Sequence, residues 1–354
     1  MKELFINGIG NISPQKTWDN NAFLEDVTAV ETNCLHTLDP NYKDYIQGDM
    51  VRRMSRIIKM GIAAGKICLA DAACVMPDAI ITGTGLGCVE DTEKFLTNMI
   101  RNNEEFLTPT SFIQSTHNTV SAQIALLLKC HNYNFTFVHR GFSFESALLD
   151  SFLKIDSGEA ETVLLGGLDE MTANTFTILQ RLGQAKQKPV NNLTLFTHPT
   201  RGTIAGEGAT FFLVSANPGV RNYTKIVAMD MFYKPEKEEI GPHILQFLEK
   251  NGIGPGTVDL VIAGLNGDPS NDTIYQGVLE DVFRDTPSAV YKHLSGEYQT
   301  VSAFSLWLGA MIMKYGNVPE VVRFNGKIPG PIRNILLYNH YMNIDHSLIL
   351  LSAT

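Results

Sequence analysis

Short apolar runs alternate with longer amphipathic segments along almost the whole chain. Apolar runs that end at glycines or polar residues predict strands, and apolar residues spaced three and four apart predict helices. Strands are predicted at residues 3–8, 78–85, 134–138, 162–167, 209–215, 223–232, 258–264, 333–341 and 346–353, with a short strand and loop at 288–299. Helices are predicted at residues 54–73, 90–102, 119–129, 146–158, 240–252, 271–283 and 300–316. This alternation indicates an α/β protein with a largely parallel sheet.

The same succession of elements starts again near residue 216. The buried run VDLVIAG at 258–264 stands in the second part of the chain where DAIITGTG, at 78–85, stands in the first. We therefore predict two pseudo-repeated βαβαβ halves, residues 1–216 and 217–354. Ligands of open α/β sheets bind at the carboxyl ends of the strands. The turns after residues 138 and 264 are therefore where we look for chemistry.

Composition and charge exclude several classes of function. The formal net charge is −9 at pH 7, which argues against a nucleic-acid-binding protein. The five cysteines form no CxxC pair, as is typical of a protein from a reducing compartment. No apolar run reaches the roughly 18 residues of a membrane span, and the N-terminus does not resemble a signal peptide. We expect a cytoplasmic protein with no membrane span.

The basic run at 52–59 predicts a solvated helix face, or else a docking surface for an acidic partner.

The stretch FVHRGFSFES, residues 137–146, joins a predicted strand to a predicted helix through a sharp turn. This is the layout of a nucleophile elbow, in which the helix N-terminus lowers the pKa of a thiol. The residue at the expected apex is Gly141, which has no side chain. The sequence therefore predicts a catalytic platform without its nucleophile.

Four segments together resemble the β-ketoacyl-synthase family of the thiolase superfamily. They are LFINGIGNISP (4–14), DAIITGTGLGCVEDTEKFL (78–96), SGEAETVLLGGLDE (157–170) and RGTIAGEGATFFLVS (201–215). The resemblance runs from about residue 3 to residue 352, and it implies a thiolase-like fold with a layered α-β-α-β-α core. Within the family, the chain looks most like chain-length-factor-like proteins of aryl-polyene and flexirubin-type pigment clusters.

The resemblance also implies a catalytic set of one Cys and two His, and this chain has replaced all three. Gly141 stands at the Cys position, and Gly264 and Glu297 stand at the two His positions, while Lys292 is retained. Tyr341 lies near the position of the gating Phe. Condensation needs a thiolate to carry the acyl chain and imidazoles to stabilise the enolate oxygen. A chain without these groups is expected to be inactive by itself.

Other residues could in principle substitute for the missing set. Ser143 with His139 is a conceivable nucleophile–base pair, although they flank the turn from opposite sides. Cys88 follows a strand end without a base beside it, and Cys130 is expected at the far end of the strand that precedes the turn.

Several remaining residues have simpler interpretations. Glu145 is predicted as a first-turn helix acid, and Lys292 is predicted to pair with Glu297. His117 is expected to be a loop histidine that is exposed or hydrogen-bonded, or one that lines a pocket on the dimer side. GTGLG at 83–87 indicates a tight turn and not a dinucleotide site. No cluster has metal-ligand spacing, so no metal or cofactor is predicted.

Three hypotheses follow from these observations. The first is an inactive subunit that pairs with a catalytic ketosynthase and shapes its pocket, as a heterodimer or a homodimer, with an acyl carrier protein as a further candidate partner. The second is an acyl transferase or condensing enzyme that uses Ser143, Glu297 or Lys292. The third is a module that binds an acyl thioester without turnover.

Overall fold

The computed structural model describes residues 2–105, 107–327 and 330–354. The strands are β1 (Leu4–Ile12), β2 (Glu31–Thr32), β3 (Ala79–Gly83), β4 (Tyr133–Phe137), β5 (Thr162–Asp169), β6 (Val190–Asn191), β7 (Gly208–Ser215), β8 (Thr224–Tyr233), β9 (Leu260–Ala263), β10 (Ser288–Val290), β11 (Asn334–Tyr341) and β12 (Asp345–Ser352). The helices are α1 (Gly48–Val51), α2 (Arg56–Asp71), α3 (Val89–Arg101), α4 (Pro109–Gln114), α5 (Thr119–Leu128), α6 (Ser143–Asp156), α7 (Ala173–Arg181), α8 (Lys237–Lys250), α9 (Pro269–Asp281), α10 (Lys292–Ser295) and α11 (Ser302–Tyr315).

Ten of the strands form one hydrogen-bonded sheet in the order β4-β3-β5-β7-β1-β8-β12-β11-β9-β10. Counted from its own first strand, each half has the order 3-2-4-5-1, with its fifth strand antiparallel to the others. The halves meet where β1 pairs antiparallel with β8. This shared order supports the division near residue 216, whose exact position stays a prediction.

The hydrophobic core consists of three layers, one on the outer face of each half of the sheet and one between the halves. Helices α2 and α5 pack with the outer face of the first half, and α8 and α9 pack with the outer face of the second. Between the halves lie α6 and α11, which share one cluster with strands of both. Every residue of α11 from Ser302 to Ile312 is buried, as expected of a helix that is apolar on all sides. The predicted α-β-α-β-α arrangement is confirmed.

The two outer edges of the ten-stranded sheet differ. At one end β10 is covered, because Ala289 forms an antiparallel bridge with Arg323, and the Phe324 N–H donates to the Ser288 carbonyl at 2.9 Å. At the other end β4 pairs only with β3 among the described residues. The sheet therefore has one covered edge and one open edge.

Most predicted elements are present within a few residues of their expected bounds, and the differences have local causes. The helix predicted from residue 146 begins at Ser143, and the loop predicted within 288–299 contains the single helical turn α10. Helices α1, α4 and α7 and the short strands β2 and β6 were not predicted. Helix α7 has no fully buried residue, although its partly buried Phe176 and Leu179 pack against a small apolar cluster. None of the helices described is both long and apolar enough to cross a bilayer.

The glycine turn at 83–87 is held by a buried carboxylate from β5. Asp169 Oδ1 accepts hydrogen bonds from the Gly85 N–H at 2.8 Å and the Thr84 hydroxyl at 3.0 Å. Its other oxygen accepts from the N–H and hydroxyl of Thr300, at 3.0 and 2.8 Å. This confirms the turn interpretation of GTGLG, and it shows that one carboxylate ties loops of both halves together.

Removing this carboxylate should destabilise the whole fold. We expect Asp169→Ala to lower the free energy of unfolding by about 3–5 kcal/mol, because it leaves several buried donors without an acceptor. Urea unfolding monitored by circular dichroism measures the change. Asp26→Ala, at an exposed position, is the matched control and should stay within about 0.5 kcal/mol of the parent. A similar loss in both variants would contradict the role of Asp169.

Candidate active site

The chain builds the predicted strand, turn and helix at residues 137–146. Strand β4 ends at Phe137, residues Arg140–Phe142 form a 3₁₀ turn, and α6 begins at Ser143. The left-handed backbone conformation is at Arg140, with φ of 52°, and not at Gly141, where we predicted the apex. Such a conformation costs a non-glycine residue about 1–2 kcal/mol. The strained turn is therefore kept, one residue earlier than predicted.

Ser143 is committed to holding this turn together. Its buried hydroxyl donates to the Arg140 carbonyl at 2.7 Å and accepts from the His139 N–H at 2.8 Å. The His139 ring instead approaches the Ser146 hydroxyl, at 3.3 Å. The structure therefore brings the backbone of His139 to Ser143, but not its imidazole.

The space that a side chain at residue 141 would need is filled from the second half of the chain. A Cβ atom on Gly141 would lie 2.5 Å from the Tyr341 Cβ and 3.0 Å from Asp345 Oδ2. The Gly141 N–H donates to the same Asp345 oxygen at 3.2 Å. In acyl-transfer enzymes such an N–H stabilises a developing oxyanion. Here both the room for a nucleophile and the nearby donor are already occupied.

The first predicted His position is closed in a similar way. A Cβ atom on Gly264 would lie 2.6 Å from the Tyr275 hydroxyl oxygen and would also collide with Asn339 Oδ1. That amide oxygen accepts a hydrogen bond from the Tyr291 hydroxyl at 2.9 Å. The Tyr275 hydroxyl, the Asn339 amide and the Lys292 side chain therefore occupy the region where a side chain at residue 264 would lie.

At the second His position, Glu297 is held by two donors. Its Oε2 accepts from Lys292 Nζ at 2.9 Å and from Asn266 Nδ2 at 2.8 Å. The Lys292 side chain is 1% exposed and that of Glu297 10% exposed. The predicted Lys292–Glu297 ion pair is thus confirmed, and it lies almost completely in the interior.

A cleft of about 300 Å³ reaches this region from the surface. Glu297, Tyr341, Gln299 and Arg201 are among its lining residues, whereas Gly141 and Gly264 are not. The Gln299 amide donates to the Tyr341 hydroxyl at 3.4 Å. The cleft therefore ends at side chains that close the predicted catalytic positions.

Glu145 is in the predicted first turn of α6, but its surroundings were not foreseen. The side chain is completely buried, and the Ser347 hydroxyl donates to its Oε1 at 2.8 Å. Its Oε2 has no hydrogen-bond partner among the described residues. Burial raises the pKa of this carboxyl to about 7.

The basic run at 52–59 is only partly a solvated face. Arg52 and Arg53 are exposed. Arg56 turns inward and forms ion pairs with Asp39, at 3.2 Å, and with Glu207 of the GEGA segment. Arg56 is therefore used within the fold and is not part of a free basic surface.

Neither of the two cysteines considered as substitutes reaches the turn. Cys88 is buried, and burial raises the pKa of its thiol well above the ordinary range. Cys130 lies before the first residue of β4, where its buried sulfur is 3.8 Å from the Pro77 carbonyl oxygen. His117 is exposed and its ring packs against Gly87.

The site residues that the sequence did not indicate are Asp345, Asn266, Tyr275, Tyr291 and Asn339, whose contacts cross long stretches of chain.

Comparison with known proteins places the chain in a family. Residues 5–217 match the family model described as beta-ketoacyl synthase, N-terminal domain, which covers more than half of the chain. The protein therefore belongs to the β-ketoacyl synthase family. No curated protein matches its sequence significantly.

Solved structures show the same fold at low sequence identity. The ishigamide ketosynthase/chain length factor is 18% identical, with a TM-score of 0.81, over 100% of this chain and 99% of that chain. A beta-ketoacyl synthase from Burkholderia phymatum STM815 is 15% identical, with a TM-score of 0.79, over 100% of both chains. The ketosynthase ApeO in complex with its chain length factor ApeC, from Xenorhabdus doucetiae, is 15% identical, with a TM-score of 0.78, over 100% of this chain and 98% of that chain. At these identities the likeness establishes the fold alone.

Restoring a cysteine at residue 141 should fail while Tyr341 is present. We expect Gly141→Cys to lower the free energy of unfolding by about 1–3 kcal/mol, because the new Cβ overpacks a filled site. Gly277→Cys is the matched control, since a Cβ there meets nothing within 4 Å. Gly141→Cys should cost less stability in a Tyr341→Gly background, because that change removes the Tyr341 Cβ that lies 2.5 Å from the new atom. Equal stability of Gly141→Cys and the parent would show that the site is not closed.

The buried Glu145 carboxyl predicts a pH-dependent stability. Its pKa is about 7 in the folded chain and near 4.5 when unfolded, so the folded state favours the protonated form. Its contribution to stability is full below about pH 4.5 and is lost as the pH rises through 7, a difference of about 3 kcal/mol. We expect Glu145→Gln to be more stable than the parent at pH 8 and nearly equal at pH 5. Urea unfolding of both proteins across this range measures the difference, and a difference independent of pH would contradict the assignment.

Proposed function

We propose that this protein is a non-catalytic, chain-length-factor-like subunit that pairs with an active β-ketoacyl synthase in fatty-acid or polyketide-type biosynthesis. The observation that carries the proposal is the closure of the nucleophile position by Tyr341 and Asp345. A condensing enzyme needs an accessible thiolate at this turn. A subunit that only shapes a partner's pocket needs the fold but not the thiolate.

The open edge of the sheet supports a protein partner. On β4 the rings of Tyr133 and Phe135 stack with centroids 6.1 Å apart, and those of Phe135 and Phe137 lie 4.8 Å apart. Phe135 is 46% exposed. Other exposed apolar side chains of the same half include Leu96, Ile100, Phe112, Ile113, Leu126, Val138 and Leu153. Unpaired edge strands and large apolar surfaces are typical of association sites.

The similar structures indicate which kind of partner fits. One is described as a ketosynthase/chain length factor, and another as a ketosynthase in complex with its chain length factor. We infer that the partner is a Cys-containing ketosynthase-fold subunit that pairs through β4, and that the pathway makes a polyene. An acyl carrier protein is a further candidate partner, for which Arg52 and Arg53 remain as exposed basic residues.

The cleft beside Tyr341 favours a second, weaker candidate, which is binding of an acyl thioester without turnover. Arg201 lines this cleft and could contact an anionic group of such a ligand. Catalysis by the alternative residues has less support. The Ser143 hydroxyl is committed to the turn, and Lys292 and Glu297 are paired with each other.

The proposal predicts recovery of a ketosynthase with this protein. We expect affinity capture of the tagged chain from its native cells to recover a Cys-containing ketosynthase at about one to one, quantified by mass spectrometry. Phe135→Asp should reduce this recovery at least about tenfold, because it places a charge on an apolar contact surface. Val220→Asp, at a position 94% exposed outside β4, is the matched control and should retain the partner.

Two results would count against the proposal. Recovery of this chain alone, as a homodimer, would exclude the heterodimer. Full recovery with Phe135→Asp would exclude β4 as the contact surface. Circular dichroism of both variants must show the parental fold for either comparison to hold.

A further inference from the structure

A cysteine, a histidine and a glutamate form a hydrogen-bonded series away from the closed site. Cys34 Sγ lies 3.6 Å from His36 Nε2, and His36 Nδ1 lies 3.2 Å from Glu207 Oε1. Each ring nitrogen therefore faces a group, the Cys34 sulfur or the Glu207 carboxylate, that accepts a hydrogen bond when it is ionised. This is the arrangement of a nucleophile, a base and the group that orients the base.

The surrounding backbone keeps these side chains in place. The segment at 33–35 pairs with Ala205, whose N–H donates to the Asn33 carbonyl at 3.1 Å and whose carbonyl accepts from the Leu35 N–H at 2.8 Å. In an extended segment residues two apart lie on the same side, which brings Cys34 and His36 together. The Thr37 N–H also donates to Glu207 Oε1, at 2.9 Å.

The surrounding groups favour the charged forms of His36 and Glu207. Burial raises the pKa of Glu207, but hydrogen bonding by His36 and the charge of Arg56 outweigh it and lower that pKa to about 2. The hydrogen bonds with Cys34 and with Glu207 raise the pKa of His36 to about 10. The other charged group next to this set is Asp39, which pairs with Arg56. A positively charged imidazole beside a thiol stabilises the thiolate.

We propose that Cys34 is a reactive thiol that His36 and Glu207 activate toward low-molecular-weight disulfides. In this exchange the Cys34 thiolate attacks one sulfur of the disulfide and forms a new S–S bond. The original S–S bond breaks, and the second sulfur leaves with the electron pair as a thiolate that takes a proton from water. The two electrons therefore stay within the sulfur atoms, and no other oxidant is needed.

The geometry favours disulfide exchange over acyl transfer at Cys34. Acyl transfer requires free N–H groups to stabilise an oxyanion. The Cys34 N–H donates to the Thr32 hydroxyl at 3.1 Å, and that of Leu35 donates to Ala205. Disulfide exchange needs only an accessible thiolate, and Cys34 is half-buried.

Cys74 provides an internal control in the same molecule. It is also half-buried, but burial raises the pKa of its thiol. Cys68, Cys88 and Cys130 are buried. Reaction with glutathione disulfide followed by peptide mass mapping gives separate rates for Cys34 and Cys74.

At pH 6 an ordinary thiol with a pKa of about 8.5 is only about 0.3% ionised. We expect Cys34 to react at least about tenfold faster than Cys74 at pH 6, because the His36 ring lies beside its sulfur. His36→Gln should lower the Cys34 rate by a similar factor and leave the Cys74 rate unchanged.

Cys34→Ser should abolish the fast reaction with glutathione disulfide, while the slow modification of Cys74 remains. His36 is on the surface, with its side chain 57% exposed, so its replacement should leave the fold intact. Equal rates at Cys34 and Cys74, or an unchanged Cys34 rate in His36→Gln, would overturn the proposal.

Discussion

The contact between the start of α6 and the β11–β12 hairpin determines what the rest of this molecule can do. It joins the two halves at two places, Gly141 just before the helix and Glu145 in its first turn. The Tyr341 side chain fills the space next to Gly141, Asp345 accepts from the Gly141 N–H, and Ser347 donates to Glu145. The space beside Gly141 is therefore filled by protein, and the two halves contact each other directly there.

Most polar groups of the closed site have hydrogen-bond partners, although Glu297 Oε1 has none among the described residues. Buried polar groups are costly unless they find partners. Around Gly264 the Tyr291 hydroxyl has an amide acceptor, and the Lys292 ammonium has the Glu297 carboxylate together with Asn266 nearby. Replacing one side chain would therefore leave the others mismatched, and a single reversion to Cys or His would meet a filled and bonded neighbourhood.

The element order and the layered fold could be predicted from the sequence because they depend on local periodicity. Strands such as β5 and the buried helix α11 carry long apolar patterns, whereas α7 has no fully buried residue and α10 is one turn long. The absence of the nucleophile could be predicted from Gly141, but its cause could not. The group that fills the position, Tyr341, is 200 positions away, and only the packing of the two halves brings it there. The same reason hid the contact of His36 with Glu207, although Cys34 and His36 are neighbours in sequence.

The unequal edges of the ten-stranded sheet limit how far it can grow. A strand added to β4 extends the ladder in one direction, but the opposite end is already covered by residues 323–324. Of the two outer edges of this sheet, only that of β4 is open among the described residues, so two subunits paired through β4 would leave neither open. Pairing of this kind stops at two chains and forms a closed assembly with no route to a fibre.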